Sequence, residues 1–151
     1  MTATTRPTVA FVGAGLMGGA MVQRLCALGW PVVVCDIDPV RQTEAREAGA
    51  LLAINPHAAA RALGPAGMLV VVVVDAAQCR DVLWGTDGAA HALQPGQTVM
   101  LCPTIAPEDT ASMAERLSEQ GVHTIDAPMS GGPARARDGR MSLMLAAPDA
   151  V

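Results

Sequence analysis

A glycine-rich segment near the start of the chain has the spacing of a phosphate-binding turn. Residues 13–18 read GAGLMG, which is the pattern GxGxxG. In this pattern the first glycine permits a tight turn, the second lets the backbone approach a pyrophosphate, and the third lets a helix pack against a strand. The amides and the dipole of the following helix attract phosphate. The residues predicted to hold the pyrophosphate of a dinucleotide are Gly13, Ala14, Gly15, Leu16, Met17 and Gly18.

An acidic residue supplies the second half of this pattern. Asp36 ends a β-rich run 18 positions after Gly18, close to the spacing of about 20 for a residue that binds the adenosine ribose. Its carboxylate would repel a 2′-phosphate, and neither Ile37 nor Asp38 supplies a cation for one. The residues therefore predict NAD over NADP. The alternative is that Asp36 is an ordinary loop acid, while Asp38 is the better helix cap.

A second glycine-rich segment could hold an anion near the end of the chain. Residues 126–133 read DAPMSGGP and follow a predicted strand, and Pro133 suits the first turn of a helix that continues to Gly139. Consecutive glycine amides and a serine hydroxyl before a helix can bind a carboxylate. Ser130, Gly131 and Gly132 are therefore candidates for binding a substrate carboxylate. A plain loop with a serine cap explains these residues equally well.

The other side chains capable of chemistry are better explained by solvation or packing. No two cysteines form a CxxC pair, and no cysteine and histidine have a zinc-binding spacing, so we expect no metal and four reduced thiols in a reducing cytoplasm. The arginines after Pro133 are expected to face solvent, because positions 135 and 137 do not share a helix face. The residues in question are Cys26, Cys35, Cys79, Cys102, His57, His91, His123, Trp30, Trp84, Arg135, Arg137 and Arg140.

Composition excludes several classes of protein. The chain has 151 residues, of which 51% are hydrophobic and 16% charged, so it is long enough and apolar enough for one globular domain. The net charge is −4, and the ten basic residues are scattered arginines with no lysine among them, which argues against nucleic acid. No apolar stretch is as long as a membrane span, which needs about 18 residues. Residues 9–22 resemble the apolar part of a signal peptide, but glycines interrupt them.

Apolar runs alternate with helical segments along the whole chain. Such alternation predicts a single α/β domain over residues 1–151, with a doubly wound, mainly parallel Rossmann sheet and helices on both faces. The run from Met68 is apolar at every position, as expected of a central strand. The predicted strands are Thr8–Val12, Val32–Cys35, Met68–Val74, Thr98–Cys102, Val122–Ile125 and Met141–Ala146. The predicted helices follow Gly15, Asp38, Asn55, Asp75, Ala106 and Gly132.

Two segments resemble the signatures of a known family. Residues 9–18 are similar to the amino-terminal signature of the β-hydroxyacid dehydrogenases, a family that includes 3-hydroxyisobutyrate and 6-phosphogluconate dehydrogenases. Residues 126–132, followed by Ala134, Ala136 and Gly139, are similar to the substrate-binding signature of that family. The resemblance runs from Thr8 to Ala147. Within the family, residues 73–85 and 130–136 look most like the L-threonate dehydrogenase branch.

The resemblance implies a role for each matching residue. Residues 13–18 would wrap the pyrophosphate and Asp36 would bind the ribose. Val74 and Asp75 would line the cofactor groove, and Thr104 would lie near the nicotinamide. Residues 130–132 would bind the carboxylate of a small hydroxy acid. The chain departs from the family at Pro103, where serine is usual, and at Met129, where valine is commoner.

The largest departure is the family's catalytic lysine, which lies in a later helical region. Because the chain contains no lysine, we expect a truncated polypeptide that binds dinucleotide but turns over little substrate. The resemblance implies that the full-length protein is a homo-oligomer that transfers a hydride between a hydroxy acid and NAD. The alternatives are an NADP-dependent reductase of the tartronate semialdehyde or imine reductase type, and a dinucleotide-binding module without chemistry.

Overall fold

Six parallel strands form the main sheet of the structure, a computed structural model that describes residues 6–148. They are β1 (Val9–Val12), β2 (Val32–Cys35), β3 (Leu51–Leu52), β4 (Met68–Val71), β5 (Thr98–Leu101) and β6 (His123–Asp126). Their order across the sheet is β3-β2-β1-β4-β5-β6. This order confirms the predicted doubly wound sheet, because the chain moves outward from β1 to one edge and then outward from β4 to the other. The end of the chain at residues 149–151, which the expectation of truncation concerns, lies outside the described residues.

Helices cover both faces of this sheet, as predicted. They are α1 (Leu16–Ala27), α2 (Pro39–Ala48), α3 (Pro56–Arg61), α4 (Ala76–Trp84), α5 (Pro107–Ser118) and α6 (Gly132–Asp138), with a short 3-10 turn at Ala89–His91. One buried cluster joins α1 and α2 to side chains such as Phe11 and Val34. The other joins α3, α4 and α5 to the opposite face, where Leu69 and Val99 lie. The strands are apolar on both faces because both faces are buried.

Side-chain caps start three of the helices at the positions that the sequence predicts. The carboxylate of Asp38 accepts a hydrogen bond from the amide of Val40 at 2.8 Å. Asn55 caps α3 through the amide of Ala58, also at 2.8 Å. Such a cap satisfies one of the amides that the first turn leaves without a partner.

The predicted capping box at the start of α4 forms only in part. Asp75 accepts a hydrogen bond from the amide of Gln78 at 2.8 Å. In a complete box Gln78 would bond in return to the amide of Asp75. Its Oε1 atom instead accepts from the amide of Val74 at 2.9 Å. Gln78 thus fixes the last residue of the valine run rather than the cap itself.

The valine run leaves the sheet earlier than predicted. The strand expected over Met68–Val74 ends at Val71, because both of its neighbours end at the same level. In the ladder, Val71 lies opposite Val12 of β1 and Leu101 of β5. The amide of Val72 still donates to the carbonyl of Val12 at 2.9 Å, but the run then leaves the sheet, and Val74 is 79% exposed. A sequence of identical valines carries no signal for the position of such an end.

The last predicted strand is also wrong in extent and in partner. Instead of a strand over Met141–Ala146, the structure has a two-residue antiparallel pair between β7 (Met129–Ser130) and β8 (Ser142–Leu143). The amide of Met144 donates to the carbonyl of Pro128 at 3.0 Å, but proline has no N–H to return a bond. The ladder therefore stops, and a single bridge joins Ala146 to the end of β6.

The remaining predictions about packing are confirmed with one adjustment. Cys35, Cys79 and Cys102 are buried, Cys26 is partly exposed, and all four thiols are free. Trp30 packs against one hydrophobic cluster and Trp84 against the other, and the arginines at 135, 137 and 140 are exposed.

Within residues 6–148, no helix is long and apolar enough to cross a membrane. The same residues contain no cluster of three or more potential metal ligands.

Candidate functional site

The residues predicted to bind the cofactor lie in loops at one edge of the main sheet. Because all six strands are parallel, their carboxyl ends lie at the same edge. The glycine turn follows β1, Asp36 follows β2, Val74 and Asp75 follow β4, and Thr104 follows β5. Successive strands are added toward one edge from β1 and toward the other edge from β4, and doubly wound sheets bind ligands in a crevice at such a change in strand order. These residues therefore lie in loops that leave the same edge of the sheet.

The glycine turn contains two glycines that the fold itself requires. Gly13 has φ = +96°, and a Cβ atom on it would lie 2.0 Å from the carbonyl oxygen of Val72. A Cβ on Gly18 would lie 2.3 Å from the carbonyl oxygen of Gly13. Both separations are too short for any side chain, so these positions allow the turn and the close packing of α1. Gly15 is different, since a Cβ there would meet no atom within 4 Å.

The start of α1 is open to an anion. Its N-cap is Gly15, which has no side chain to accept from the first-turn amides, and the first turn carries no acidic residue. The helix has 12 residues, long enough for its N-terminus to carry about half a unit of positive charge. The unpaired amides and the empty space at Gly15 together fit a pyrophosphate, which needs donors and close backbone approach.

The carboxylate of Asp36 lies against the glycine turn. Its Oδ2 atom accepts a hydrogen bond from the amide of Ala14 at 2.6 Å, and its Oδ1 atom accepts from the amide of Asp38 at 2.8 Å. An ionised carboxylate has about four acceptor sites, so lone pairs remain for the hydroxyls of a ribose. The sequence placed this residue at the ribose end of the crevice, and it did not foresee the bond to Ala14.

A cation near Asp36 is a feature that the sequence reading missed. The guanidinium of Arg41, in the first turn of α2, pairs with Glu44 at 2.8 Å. The pKa of Arg41 is raised, first by the hydrogen bond and charge of Glu44 and then by the charges of Asp38 and Asp36. Reading only the two residues after Asp36 could not find it. The predicted cap at Asp38 places Arg41 in the first turn of α2, but the capping pattern does not show where its guanidinium lies.

Two buried thiols lie at the ends of β2 and β5, and both stay protonated. Burial raises the pKa of Cys35 to about 11, with a smaller contribution from the charge of Asp36. Burial also raises the pKa of Cys102 to about 12, with smaller contributions from Cys79 and Asp126. Because the reactive form of cysteine is the thiolate, these residues do not act as nucleophiles at neutral pH. Their role at the strand ends is packing.

The second glycine-rich segment lies between β7 and α6. Gly131 is the N-cap of α6 with φ = +114°, and Gly132 follows with φ = +75°. A Cβ on Gly132 would meet no atom within 4 Å, so its backbone is accessible. Ser130 and Thr104 are both exposed, and α6 packs against α1, the helix of the glycine turn. The packing connects the two glycine-rich segments through a pair of helices.

A parallel sheet with a glycine turn after its first strand and an acid after its second defines a dinucleotide-binding domain of the Rossmann type. Over residues 8–151 the chain matches the family model described as the NAD binding domain of 6-phosphogluconate dehydrogenase. The chain belongs to this family, which confirms the resemblance seen in the sequence. Relatives of the chain are oxidoreductases.

Known proteins resemble the chain in sequence and in fold. The L-threonate dehydrogenase of Cupriavidus necator is 37% identical over 141 residues, which are 93% of this chain and 46% of that protein. The solved 3-hydroxyisobutyrate dehydrogenase of Salmonella typhimurium is 34% identical with a TM-score of 0.81, and the match covers 91% of this chain and 47% of that one. The chain therefore spans about half the length of the relatives that it matches.

Similarity alone does not decide which pyridine nucleotide the chain binds. The protein Psf3 was solved in complex with NADP+ and 2-OPP, and it is 28% identical with a TM-score of 0.84. The match covers 94% of this chain and 49% of Psf3. The choice between NAD and NADP therefore has to be argued from the residues at the end of β2.

Proposed function

We propose that the chain binds NAD and serves an enzyme that transfers a hydride between NAD and a small hydroxy acid. The observation that carries the proposal is the arrangement at the ends of β1 and β2. An uncapped helix N-terminus with open space at Gly15 lies beside the carboxylate of Asp36, which holds the amide of Ala14 at 2.6 Å. One end of this arrangement suits a pyrophosphate and the other suits a ribose.

The preference for NAD rests on the charges around Asp36. A 2′-phosphate placed there would meet this carboxylate, and the guanidinium of Arg41 is already paired with Glu44. Two like charges about 4 Å apart repel by about 1–4 kcal/mol, depending on the effective dielectric constant. The next residue, Ile37, is 98% exposed and uncharged. We therefore expect NADPH to bind at least about fivefold more weakly than NADH.

The substrate would bind at the second glycine-rich segment. The hydroxyl of Ser130 and the amides of Gly131 and Gly132 would hold its carboxylate, and Thr104 would border the reacting end. When bound, NAD supplies the hydride acceptor. The chain holds no lysine, so another group must accept the hydroxyl proton. We expect the chain alone to bind nucleotide without oxidising a hydroxy acid.

The proposed substrate is inferred from the names of similar proteins. L-threonate is the first compound to test, because the Cupriavidus necator enzyme carries that name and residues 73–85 and 130–136 look like that branch. The full-length protein would be a homo-oligomer in a reducing cytoplasm, the compartment that suits four free thiols. Size-exclusion chromatography checks the assembly, and we expect a monomer for residues 1–151 if the contacts lie elsewhere.

Calorimetric titration of the chain with NADH and NADPH tests the cofactor. Asp36→Ala should weaken NADH binding and narrow the difference between the two nucleotides. Glu47→Ala, which removes an exposed acid of α2, is the matched control and should change neither. Tighter binding of NADPH would refute the cofactor preference and favour the reductase alternatives. Absence of binding by either nucleotide would refute the proposal that this chain forms the site.

Turnover is tested separately, with NAD and L-threonate in the longest protein that the gene encodes. We expect oxidation there and none with residues 1–151 alone. Efficient turnover by the chain alone would show that a group other than lysine accepts the proton. Nucleotide binding without turnover in either form would favour the non-catalytic module.

A further inference from the structure

Asp36 links two loops that are far apart in the sequence. Its Oδ2 atom accepts from the amide of Ala14 at 2.6 Å, and its Oδ1 atom accepts from the amide of Asp38 at 2.8 Å. Its own carbonyl oxygen accepts from the side-chain amide of Gln42 at 2.7 Å. The residue is half-buried, and both of its carboxylate oxygens are in use before any ligand binds. It is therefore held in place by α2 and in turn holds the loop after β1.

The loop that Asp36 holds has few constraints of its own. Ala14 stands between Gly13 and Gly15, and glycine has the largest conformational freedom of all residues. The turn is fixed on one side by the amide of Gly13, which donates to the carbonyl of Cys35 at 3.0 Å. On the other side the fixed point is the bond from Ala14 to the carboxylate. A hydrogen bond to a charged acceptor is about twice as strong as a neutral one.

The position of Ala14 determines where the phosphate donors lie. Its side chain is buried, with 2% exposure, and its amide is committed to Asp36. The next residues are Gly15 and the first turn of α1, whose amides have no side-chain cap. Loss of the bond to Asp36 would remove a charged acceptor from the peptide between two glycines and weaken the constraint on its orientation. The amides that follow would then lose their fixed direction.

We propose that Asp36 is a positioning residue for the pyrophosphate, because it fixes Ala14 and thereby the glycine turn in the conformation that receives the phosphates. The inference rests on the proposed nucleotide binding and goes beyond the role at the ribose. It separates two effects of the same carboxylate. One effect needs the ribose hydroxyls, and the other persists when those hydroxyls are removed from the ligand.

An analogue without ribose hydroxyls distinguishes the two effects. The probes are NAD and its 2′,3′-dideoxy analogue, modified on the adenosine ribose, and the readout is the dissociation constant from calorimetry. If Asp36 only binds the ribose, Asp36→Ala leaves the affinity for the analogue unchanged. If Asp36 positions the turn, the same variant raises the dissociation constant of the analogue by about tenfold, because a hydrogen bond to a charged group is lost. An unchanged affinity for the analogue overturns the inference.

Two further variants separate positioning from general stability. Asp38→Ala removes a carboxylate two residues away and the cap of α2, but it keeps the bond between Asp36 and Ala14. Asp38→Ala should lower the melting temperature without raising the dissociation constant of the analogue. Asp36→Asn keeps an acceptor for the amide of Ala14, so it should recover part of the affinity that Asp36→Ala loses. Equal losses in Asp36→Asn and Asp36→Ala would contradict this reasoning.

Amide hydrogen exchange gives a readout that needs no ligand. The amide of Ala14 should be protected in the wild-type chain, less protected in Asp36→Asn and unprotected in Asp36→Ala. If Asp36→Ala does not fold, the comparison of wild type with Asp36→Asn carries the test, and equal protection refutes the inference. Failure of the wild-type chain to bind NAD would refute the proposed function instead, so the two failures are distinguishable.

Discussion

Alanine substitutions at Gly15 and Gly18 should have opposite consequences for folding and for nucleotide binding. The two positions are three residues apart in one motif, yet a new Cβ meets very different surroundings. At Gly18 it would lie 2.3 Å from the carbonyl oxygen of Gly13, whereas at Gly15 no atom lies within 4 Å. Gly18→Ala should therefore damage the fold, and Gly15→Ala should damage only the site.

The magnitudes follow from these separations. An ordinary contact begins at 3.4 Å, so α1 must move by roughly 1 Å to accommodate Gly18→Ala. Overpacking of this kind costs about 1–3 kcal/mol, which lowers the melting temperature of a domain this size by about 2–12 °C. Gly15 has φ = −64°, which alanine also adopts, and the smaller freedom of the unfolded chain stabilises such a variant by up to about 1 kcal/mol.

Gly15→Ala should weaken nucleotide binding by a steric clash as well, but here the new methyl group would meet the ligand rather than the protein. A methyl group in the space meant for the pyrophosphate should cost about 1–3 kcal/mol of binding free energy. The dissociation constant of NADH should then rise by about 5- to 150-fold. Thermal unfolding followed by circular dichroism measures the first effect, and calorimetric titration measures the second.

The pattern across the two variants is the critical result. Gly15→Ala should melt at or above the wild-type temperature and bind NADH poorly. Gly18→Ala should melt lower, whatever its affinity. A Gly15→Ala chain that binds NADH as tightly as the wild type would show that the pyrophosphate does not approach this residue. A Gly18→Ala chain of wild-type stability would show that α1 does not pack as closely as described.

Three further predictions concern caps and thiols. Asp75→Ala removes the cap of α4 and should lower the free energy of unfolding by about 1 kcal/mol in a urea titration. Stability should fall as the pH rises from 9 toward 11, because Cys35 and Cys79 have folded pKa values of about 11 and Cys102 of about 12, against 9.0 in the unfolded chain. The chain has no tyrosine or lysine to titrate in that range, so constant stability would contradict the assignment. A thiol reagent at pH 8 should label Cys26, the one partly exposed thiol, before the other three.

The sequence predicts the helix starts and the parallel sheet better than the strand ends, and it did not predict β3 (Leu51–Leu52). Asp38 and Asn55 cap helices where expected because a cap is decided within four residues of the chain. The alternation of strands and helices predicts a parallel sheet because a parallel strand pair requires a crossover. The end of β4 is a different matter, since it depends on where β1 and β5 stop. That information lies outside the run of valines.

The candidate site divides in the same way. The spacing from Gly13 to Asp36 predicts that these residues follow two neighbouring strands. In the structure they follow β1 and β2, which pair in the sheet. The bond from Ala14 to Asp36 and the position of Arg41 depend on how α2 turns after Asp38, and no local pattern predicts either. The pairing of Ser142 with Ser130 was missed because an apolar run suggested a strand of the main sheet. Partner choice for a two-residue strand is a property of the tertiary structure.

The strand order also determines when the crevice can exist during synthesis. Val9 pairs with Val32 and with Met68, so the first strand to leave the ribosome finds its two neighbours 23 and 59 positions later. Closing the longer separation costs more chain entropy. A nascent chain that ends before Val72 would already carry the glycine turn and Asp36, but it would lack the carbonyl against which Gly13 packs. Nucleotide binding would therefore begin only after β4 has paired with β1. The bound dinucleotide would then stabilise the incomplete sheet at the pairing of β1 with β4, which joins its two halves.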